Sequence, residues 1–211
     1  MDSNRAAEHL QVIRTLMERS ALYRRALAPI TLQTGVIGLA GAGWGWFGGI
    51  DTAGGFGALW MTVCLVALAA AFLLARRQAL KAGEPFWSPP TRRVAEALLP
   101  ALTAGLVAGL LVVASGGSDP ARIGWLPAIW AVLYGLALHS AGFFMTRGIK
   151  LFGWLFVLCG LGYCAYRVFF QADAGLPRLA EAHAAMGILF GGCHVAYGCY
   201  LSFTEPRKNE T

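Results

Sequence analysis

Charged residues are scarce in this chain. Of its 211 residues, 13% are charged and 57% are hydrophobic, whereas soluble domains contain about 25% charged residues. An ordinary soluble domain is therefore excluded. The net charge of +6 does not indicate a nucleic-acid partner, because the basic residues flank hydrophobic segments. In that position they set topology and meet anionic headgroups, so we expect the lipid bilayer as partner and no nucleic acid.

Catalytic motifs are also missing. The sequence contains no nucleophile elbow, HExxH motif, P-loop or pair of neighbouring carboxylates. The acids near the predicted helix ends, Asp51, Glu96 and Glu181, are far apart in sequence. This pattern disfavours an enzyme, and we expect no catalytic residues.

Cysteines and histidines do not show metal-binding spacing. Adjacent residues on a helix point about 100° apart, so Cys193 and His194 cannot easily share an ion. We expect no metal site. Cysteines in apolar stretches behave as small hydrophobes, and all five lie in such stretches: Cys64, Cys159, Cys164, Cys193 and Cys199.

Long apolar segments dominate what is present. Each has about the 20 residues that a helix needs to cross a bilayer, and none alternates as barrel strands do. The predicted fold is an all-α membrane protein, a six-transmembrane helix bundle with an N-terminal amphipathic interfacial helix. The six predicted crossings are Ile30–Ile50, Phe56–Ala75, Ala95–Ala114, Ile123–Met145, Leu151–Phe170 and Ala182–Phe203.

The predicted organisation has three parts. Residues 1–28 form an amphipathic cytoplasmic or interfacial helix, residues 29–204 the transmembrane domain and residues 205–211 a cytoplasmic tail. Leu10, Ile13, Leu16 and Met17 fall on one arc of the first helix. Such a helix lies on the inner leaflet or under the bundle. The alternative is that it docks a cytoplasmic protein or a second copy in a homo-oligomer.

Basic residues predict the orientation. With the N-terminus inside, 14 of the 17 lysines and arginines lie on the cytoplasmic side. The exceptions are Arg122 and Arg178 outside and Arg167 within the fifth crossing. This asymmetry indicates a multi-pass protein with both termini in the cytoplasm. Aromatic residues agree, because four tryptophans fall near the outer interface: Trp44, Trp46, Trp60 and Trp125.

Two further patterns concern the connections and the packing. The stretch Arg76–Ala95 is predicted to be a basic loop, because Glu84-Pro85 and Ser88-Pro89-Pro90 interrupt a helix. Glycines four residues apart let helices approach closely. Internal packing is therefore expected at Gly105 and Gly109 and at Gly187 and Gly191.

Ionisable groups inside a bilayer are functional candidates, because burying them there is costly. Arg167 has two interpretations. Its side chain reaches the outer headgroups, or it contacts an anion or substrate inside the bundle, with Asp173 or Glu181 as partner. His139, His183 and His194 are the other candidates.

His183 and His194 are eleven residues apart, which places them within about 20° of one face and roughly 16 Å apart along a helix. With Tyr197 they predict a polar row on the last crossing. Such a row lines a path for a small solute or ion, or it only bonds to other helices. We expect His194 to face the interior and to hydrogen-bond another helix. A haem between His139 and His194 is a weaker alternative.

Two segments resemble a known family. Glu8–Ser20, EHLQVIRTLMERS, and Phe190–Leu201, FGGCHVAYGCYL, resemble the ends of a family of small bacterial inner-membrane proteins of unknown function. The middle is similar only in hydropathy. The resemblance implies residence in the bacterial inner membrane. It also singles out His194, because the last crossing of the family carries a histidine at this position. The predicted function is binding or passage of a small solute or ion. The alternative is a membrane sensor or regulatory subunit that docks a cytoplasmic partner through residues 1–28.

Overall fold

A computed structural model describes residues 27–81, 83, 85–116, 123–170 and 179–204. The predicted amphipathic helix, except for its last two positions, and the predicted tail at residues 205–211 lie outside this part of the chain. Within the described ranges the chain forms helices joined by turns, and no strand occurs.

The described residues form six helices, and each overlaps one predicted crossing. The sixth contains a π-helical segment, Gly187–Gly192. The bounds are residues 27–47 for α1, Ala53–Lys81 for α2, Pro89–Gly116 for α3, Leu126–Ala141 for α4, Arg147–Phe170 for α5 and Leu179–Thr204 for α6.

These helices differ in length and in apolarity. Four helices (α2, α3, α5 and α6) are long and apolar enough to cross a membrane. The fourth helix is apolar but has 16 residues, about 24 Å at 1.5 Å per residue, against a hydrocarbon core of about 30 Å. An all-helical fold with four helices that could cross a membrane is therefore confirmed for the described part of the chain, and the count of six crossings stays a prediction.

The connection between α2 and α3 is shorter than predicted. Helix α2 continues to Lys81, and α3 already begins at Pro89. The reason is that proline is tolerated in the first turn of a helix, where its missing N–H has no partner to lose. The predicted interruption is therefore confined to the turn around Gly83, whose φ is +66°.

Helices α1 and α6 form an antiparallel pair whose backbones touch. Gly35 packs against Gly191 and Val195, and Gly45 packs against His183. A Cβ atom added at Gly35 would lie 2.6 Å from the backbone nitrogen of Val195. Glycine is required along this seam, because any side chain would separate the helices.

Helices α4 and α5 form a second tight pair. A Cβ atom added at Gly135 would lie 2.6 Å from the carbonyl oxygen of Gly153, and one added at Gly153 would lie 2.6 Å from the backbone nitrogen of His139. Helix α3 packs outside this pair. There Gly105 and Gly109 receive the Trp130 ring, whose Nε1–H donates to the carbonyl of Gly105 at 2.9 Å.

Aromatic side chains fill the boundary between the two pairs. We call this set the central aromatic cluster: Tyr134, Phe152, Phe156, Phe190 and Tyr197. The near end of the bundle is where Leu27 packs with Ile149 and Leu201. The far end is where Phe56 and Trp60 pack with Ile123 and Leu179.

One predicted interfacial tryptophan belongs to the core instead. Trp60 is 3% exposed and packs in the far-end cluster, so its assignment to the outer aromatic belt is wrong. Trp44 and Trp46 are exposed at the same end, as a belt requires. Trp60 is buried, unlike Trp44 and Trp46, because its indole N–H has a buried hydrogen-bond partner, the imidazole of His183.

Candidate functional site

His194 is buried in the centre of the bundle and bonds to a neighbouring helix. It is 2% exposed, and its Nε2 lies 2.8 Å from the hydroxyl oxygen of Tyr134 on α4. The rings of Phe152 and Phe156 contact the imidazole at centroid distances of 5.2 and 5.3 Å. The prediction that His194 faces the interior and bonds to another helix is confirmed.

Two polar atoms beside this pair are buried and have no hydrogen-bond partner among the described residues. They are the Nδ1 of His194 and the hydroxyl of Tyr197. The backbone of Phe190 lies beside the imidazole, but no hydrogen bond of acceptable geometry joins it to Nδ1. Tyr197 stacks on Phe152 at 4.3 Å, and its hydroxyl lies over Gly148. Each such atom costs about 1–3 kcal/mol while it stays unpaired.

His183 differs from His194 because both of its nitrogens have partners. The Nε1–H of Trp60 donates to Nδ1 at 3.0 Å, and Nε2 lies 3.1 Å from the carbonyl oxygen of Ile50. Since Nδ1 accepts, Nε2 carries the proton and donates to that carbonyl. The imidazole is fully buried, and its two hydrogen bonds tie α6 to α2 and to Ile50, which follows α1.

The two histidines face different neighbours, so the prediction that they share one face of α6 is wrong. His183 contacts α1 and α2, whereas His194 contacts α4 and α5. The π-helical segment Gly187–Gly192 lies between them. A π turn bonds from i to i+5, so it takes up one more residue and rotates the rest of the helix by about 100°. Of the predicted row, only His194 and Tyr197 remain together.

His139 lies apart from His194. Its ring contacts Phe143 and Trp154, and these two are not among the aromatic neighbours of His194. Its Nδ1 is buried without a partner in the described part of the chain. A haem on His194 would have to displace the Tyr134 hydroxyl and two phenylalanine rings, so the packing does not favour the haem alternative.

Arg167 is buried, and the interpretation that its side chain reaches the headgroups is wrong. It is 7% exposed, because the beginning of α4 covers its head. The guanidinium carbon lies 4.9 Å from the ring centroid of Trp125 and 6.0 Å from that of Tyr163. Its Nη1 is buried with no hydrogen-bond partner among the described residues. Asp173, one of its predicted partners, lies outside them.

Space around these residues is limited in this conformation. A shallow apolar groove of about 470 Å³ lies on the surface between α1 and α6, and neither histidine of α6 lines it. Aromatic rings fill the surroundings of His194. The candidate site is therefore closed, and the structure brings His194 and Tyr197 together while separating them from the other candidates, His183, His139 and Arg167.

Sequence reasoning missed the partners of the candidate residues. Tyr134 and Trp60 complete the two histidine pairs, and Trp125 covers Arg167. A tyrosine in the middle of an apolar crossing was a usable signal, because its hydroxyl needs a partner when it is buried. Nothing in the spacing indicated which histidine that hydroxyl would meet.

Comparison with protein-family models, with curated proteins and with solved structures gives no match for this chain. The resemblance of its two ends to a bacterial inner-membrane family therefore stays a prediction.

Proposed function

We propose that this is an inner-membrane protein that binds a small ion or polar solute inside its bundle, between the pair α1/α6 and the pair α4/α5. The observation that carries the proposal is the presence of two buried polar atoms without partners among the described residues at this boundary, His194 Nδ1 and the Tyr197 hydroxyl. A polar ligand that hydrogen-bonds to either atom would recover the free energy that this atom lacks. Buried polar and ionisable groups are rare inside membrane-spanning helices, and where they occur they often mark solute or ion sites.

The construction of the bundle supports this location. Inside each pair the backbones touch at glycines, so close packing over the helix backbones holds the two helices of a pair together. Between the pairs the contacts are made by aromatic side chains, which rearrange by changing rotamers. Binding at the boundary of two helix units near the membrane midplane is also how many transporters are built. Access to His194 requires the pairs to move apart, because the described conformation is closed.

The arrangement of the ends supports the proposed topology of six crossings with both termini in the cytoplasm. Leu27, at the beginning of α1, packs with Leu201, near the end of α6. Antiparallel packing of the first and last helices puts both at the same end of the bundle, which requires an even number of crossings. The short α4 then crosses where the bundle itself, rather than lipid, surrounds its ends.

The test compares two double variants that each remove one buried polar pair. Tyr134→Phe with His194→Phe replaces both partners by apolar rings of similar shape, which costs little stability. Trp60→Phe with His183→Phe removes the polar pair at the far end and serves as control, although it costs more stability because phenyl is smaller than indole and the Ile50 carbonyl loses its donor. We expect uptake of one of four probes (protons, sodium, potassium or chloride) into proteoliposomes. The His194 variant should reduce it at least about tenfold, and the His183 variant should leave it unchanged.

Equal uptake by the wild-type protein and the His194 double variant contradicts the proposal, provided that both are folded by circular dichroism. In that case the His194–Tyr134 bond only holds α6 against α4.

A further inference from the structure

We infer that the far end of the bundle carries a binding site for a small oxyanion, such as a phosphate or carboxylate group, formed by Arg167 and the N-terminus of α4. This site lies away from His194, and the inference does not depend on the proposed function.

The first observation is the state of Arg167. It is more than nine-tenths buried, and its Nη1 has no hydrogen-bond partner within the described part of the chain. A guanidinium has five N–H donors and always carries its charge. A buried cation is costly unless an opposite charge and hydrogen bonds compensate it. The ring contacts with Trp125 and Tyr163 attract the cation but accept no conventional hydrogen bond, so Nη1 still needs an acceptor.

The second observation is the beginning of α4. Its N-cap residue is Trp125, which makes no side-chain capping bond, and its first turn contains Pro127 and no acidic residue. The first N–H groups of a helix have no partner inside the helix, and they carry the positive end of its dipole. Leu126 and Ala128 are fully buried, so this first turn is shielded from solvent.

These two features meet at one residue. Trp125 occupies the N-cap position of α4, and the centroid of its ring lies 4.9 Å from the guanidinium carbon of Arg167. A cation beside a helix N-terminus is repelled by the dipole, because both are positive. An anion between them reverses the sign of both interactions, since it accepts from the guanidinium and from the backbone N–H groups of the first turn other than Pro127, which has none. An oxyanion fits best, because two of its oxygens match the fork of donors on arginine.

The ligand has two sources with the same chemistry. Under the predicted orientation the far end faces outward, so the oxyanion is either a solute of the outer aqueous phase or the phosphate of an outer-leaflet lipid. Exposed aromatic residues at this end of α5, Phe169 and Phe170, suit the interface at which both are present.

The experiment uses the purified full chain in a neutral detergent and inorganic phosphate as probe, at constant ionic strength set with chloride. Isothermal titration should show saturable phosphate binding to the wild-type protein. Arg167→Gln should weaken it by about tenfold to a hundredfold, the range for losing charge-assisted hydrogen bonds. Arg167→Lys should weaken it less, because the charge remains without the fork. Arg92→Gln is the matched control, because Arg92 is exposed and already paired with Glu96 at 2.7 Å.

A second arm separates the lipid source from the free anion. The wild-type protein and Arg167→Gln are reconstituted with phosphatidylglycerol and re-extracted, and the retained lipid is counted by mass spectrometry. Retention that depends on Arg167, without binding of inorganic phosphate, supports a lipid phosphate. Binding of inorganic phosphate that depends on Arg167 supports a free anion. Failure of Arg167→Gln to change either measurement overturns the inference.

Thermal unfolding distinguishes a ligand site from a purely structural arginine. In phosphate-free buffer without anionic lipid, Arg167→Gln should unfold at the same temperature as the wild-type protein or higher, because the substitution removes a buried charge whose Nη1 has no hydrogen-bond partner among the described residues. Phosphate should raise the wild-type Tm and leave that of Arg167→Gln unchanged. A lower Tm for Arg167→Gln, combined with no effect of phosphate or lipid on the wild type, would show a structural role and overturn the inference.

Discussion

Substitution of Gly35 by alanine should destabilise the pairing of α1 with α6. The new Cβ would lie 2.6 Å from the backbone nitrogen of Val195 and 2.8 Å from the carbonyl oxygen of Gly191. These are backbone atoms, so α6 itself must shift. Overpacking of this kind costs about 1–3 kcal/mol, and the better helix propensity of alanine returns about 0.5–1 kcal/mol. The expected net loss is about 1–2 kcal/mol in the free energy of unfolding.

Gly43→Ala provides a control on the same helix. A Cβ at Gly43 meets no atom within 4 Å, so only the propensity gain of about 0.5–1 kcal/mol remains. The assay is reversible unfolding in mixed micelles with increasing sodium dodecyl sulfate, followed by circular dichroism. Equal effects of the two substitutions, or stabilisation by Gly35→Ala, would refute the close backbone contact between α1 and α6.

Two other predictions concern topology and the far-end histidine. Reporter tags at both termini should lie in the cytoplasm and a tag at Asp119 outside, because 14 of 17 basic residues favour that orientation; a C-terminal tag outside would require an odd number of crossings. Trp60→Phe should lower the free energy of unfolding by about 1–3 kcal/mol, because it removes the donor to the buried Nδ1 of His183. Trp44→Phe, at a 70% exposed position, should leave the unfolding curve unchanged, and similar shifts for both variants would argue against the His183 bond.

The helices themselves were largely predictable, but their ends were not. Each predicted crossing overlaps a helix, because an apolar segment in lipid has to satisfy its own backbone. Apolarity says little about where the helix stops. Helix α2 runs on to Lys81 through polar residues, and α4 ends at Ala141, four residues before the predicted end of its crossing. Local turns at Gly83 and Gly142 set these limits.

The histidines show where reasoning from periodicity fails. A constant 100° per residue placed His183 and His194 on one face, and the π-helical segment between them removed that relation. The residue types in Gly187–Gly192 do not by themselves predict a π turn. The turn follows from packing, because Gly187 and Gly191 are held against α1 while the residues after them face α5.

The sequence by itself determined that this chain is α-helical with several helices apolar enough to cross a membrane, how its helices are ordered and which few polar side chains enter the bundle. These properties follow from composition and from the cost of unpaired backbone groups in lipid, and both can be read without knowing any contact. Only the tertiary structure decided that His183 is satisfied, that His194 is half satisfied and that Arg167 is buried at the start of α4. The partners of these side chains lie on other helices. Their distance from the side chain depends on how each helix is rotated about its axis and shifted along it, and no local sequence pattern specifies either.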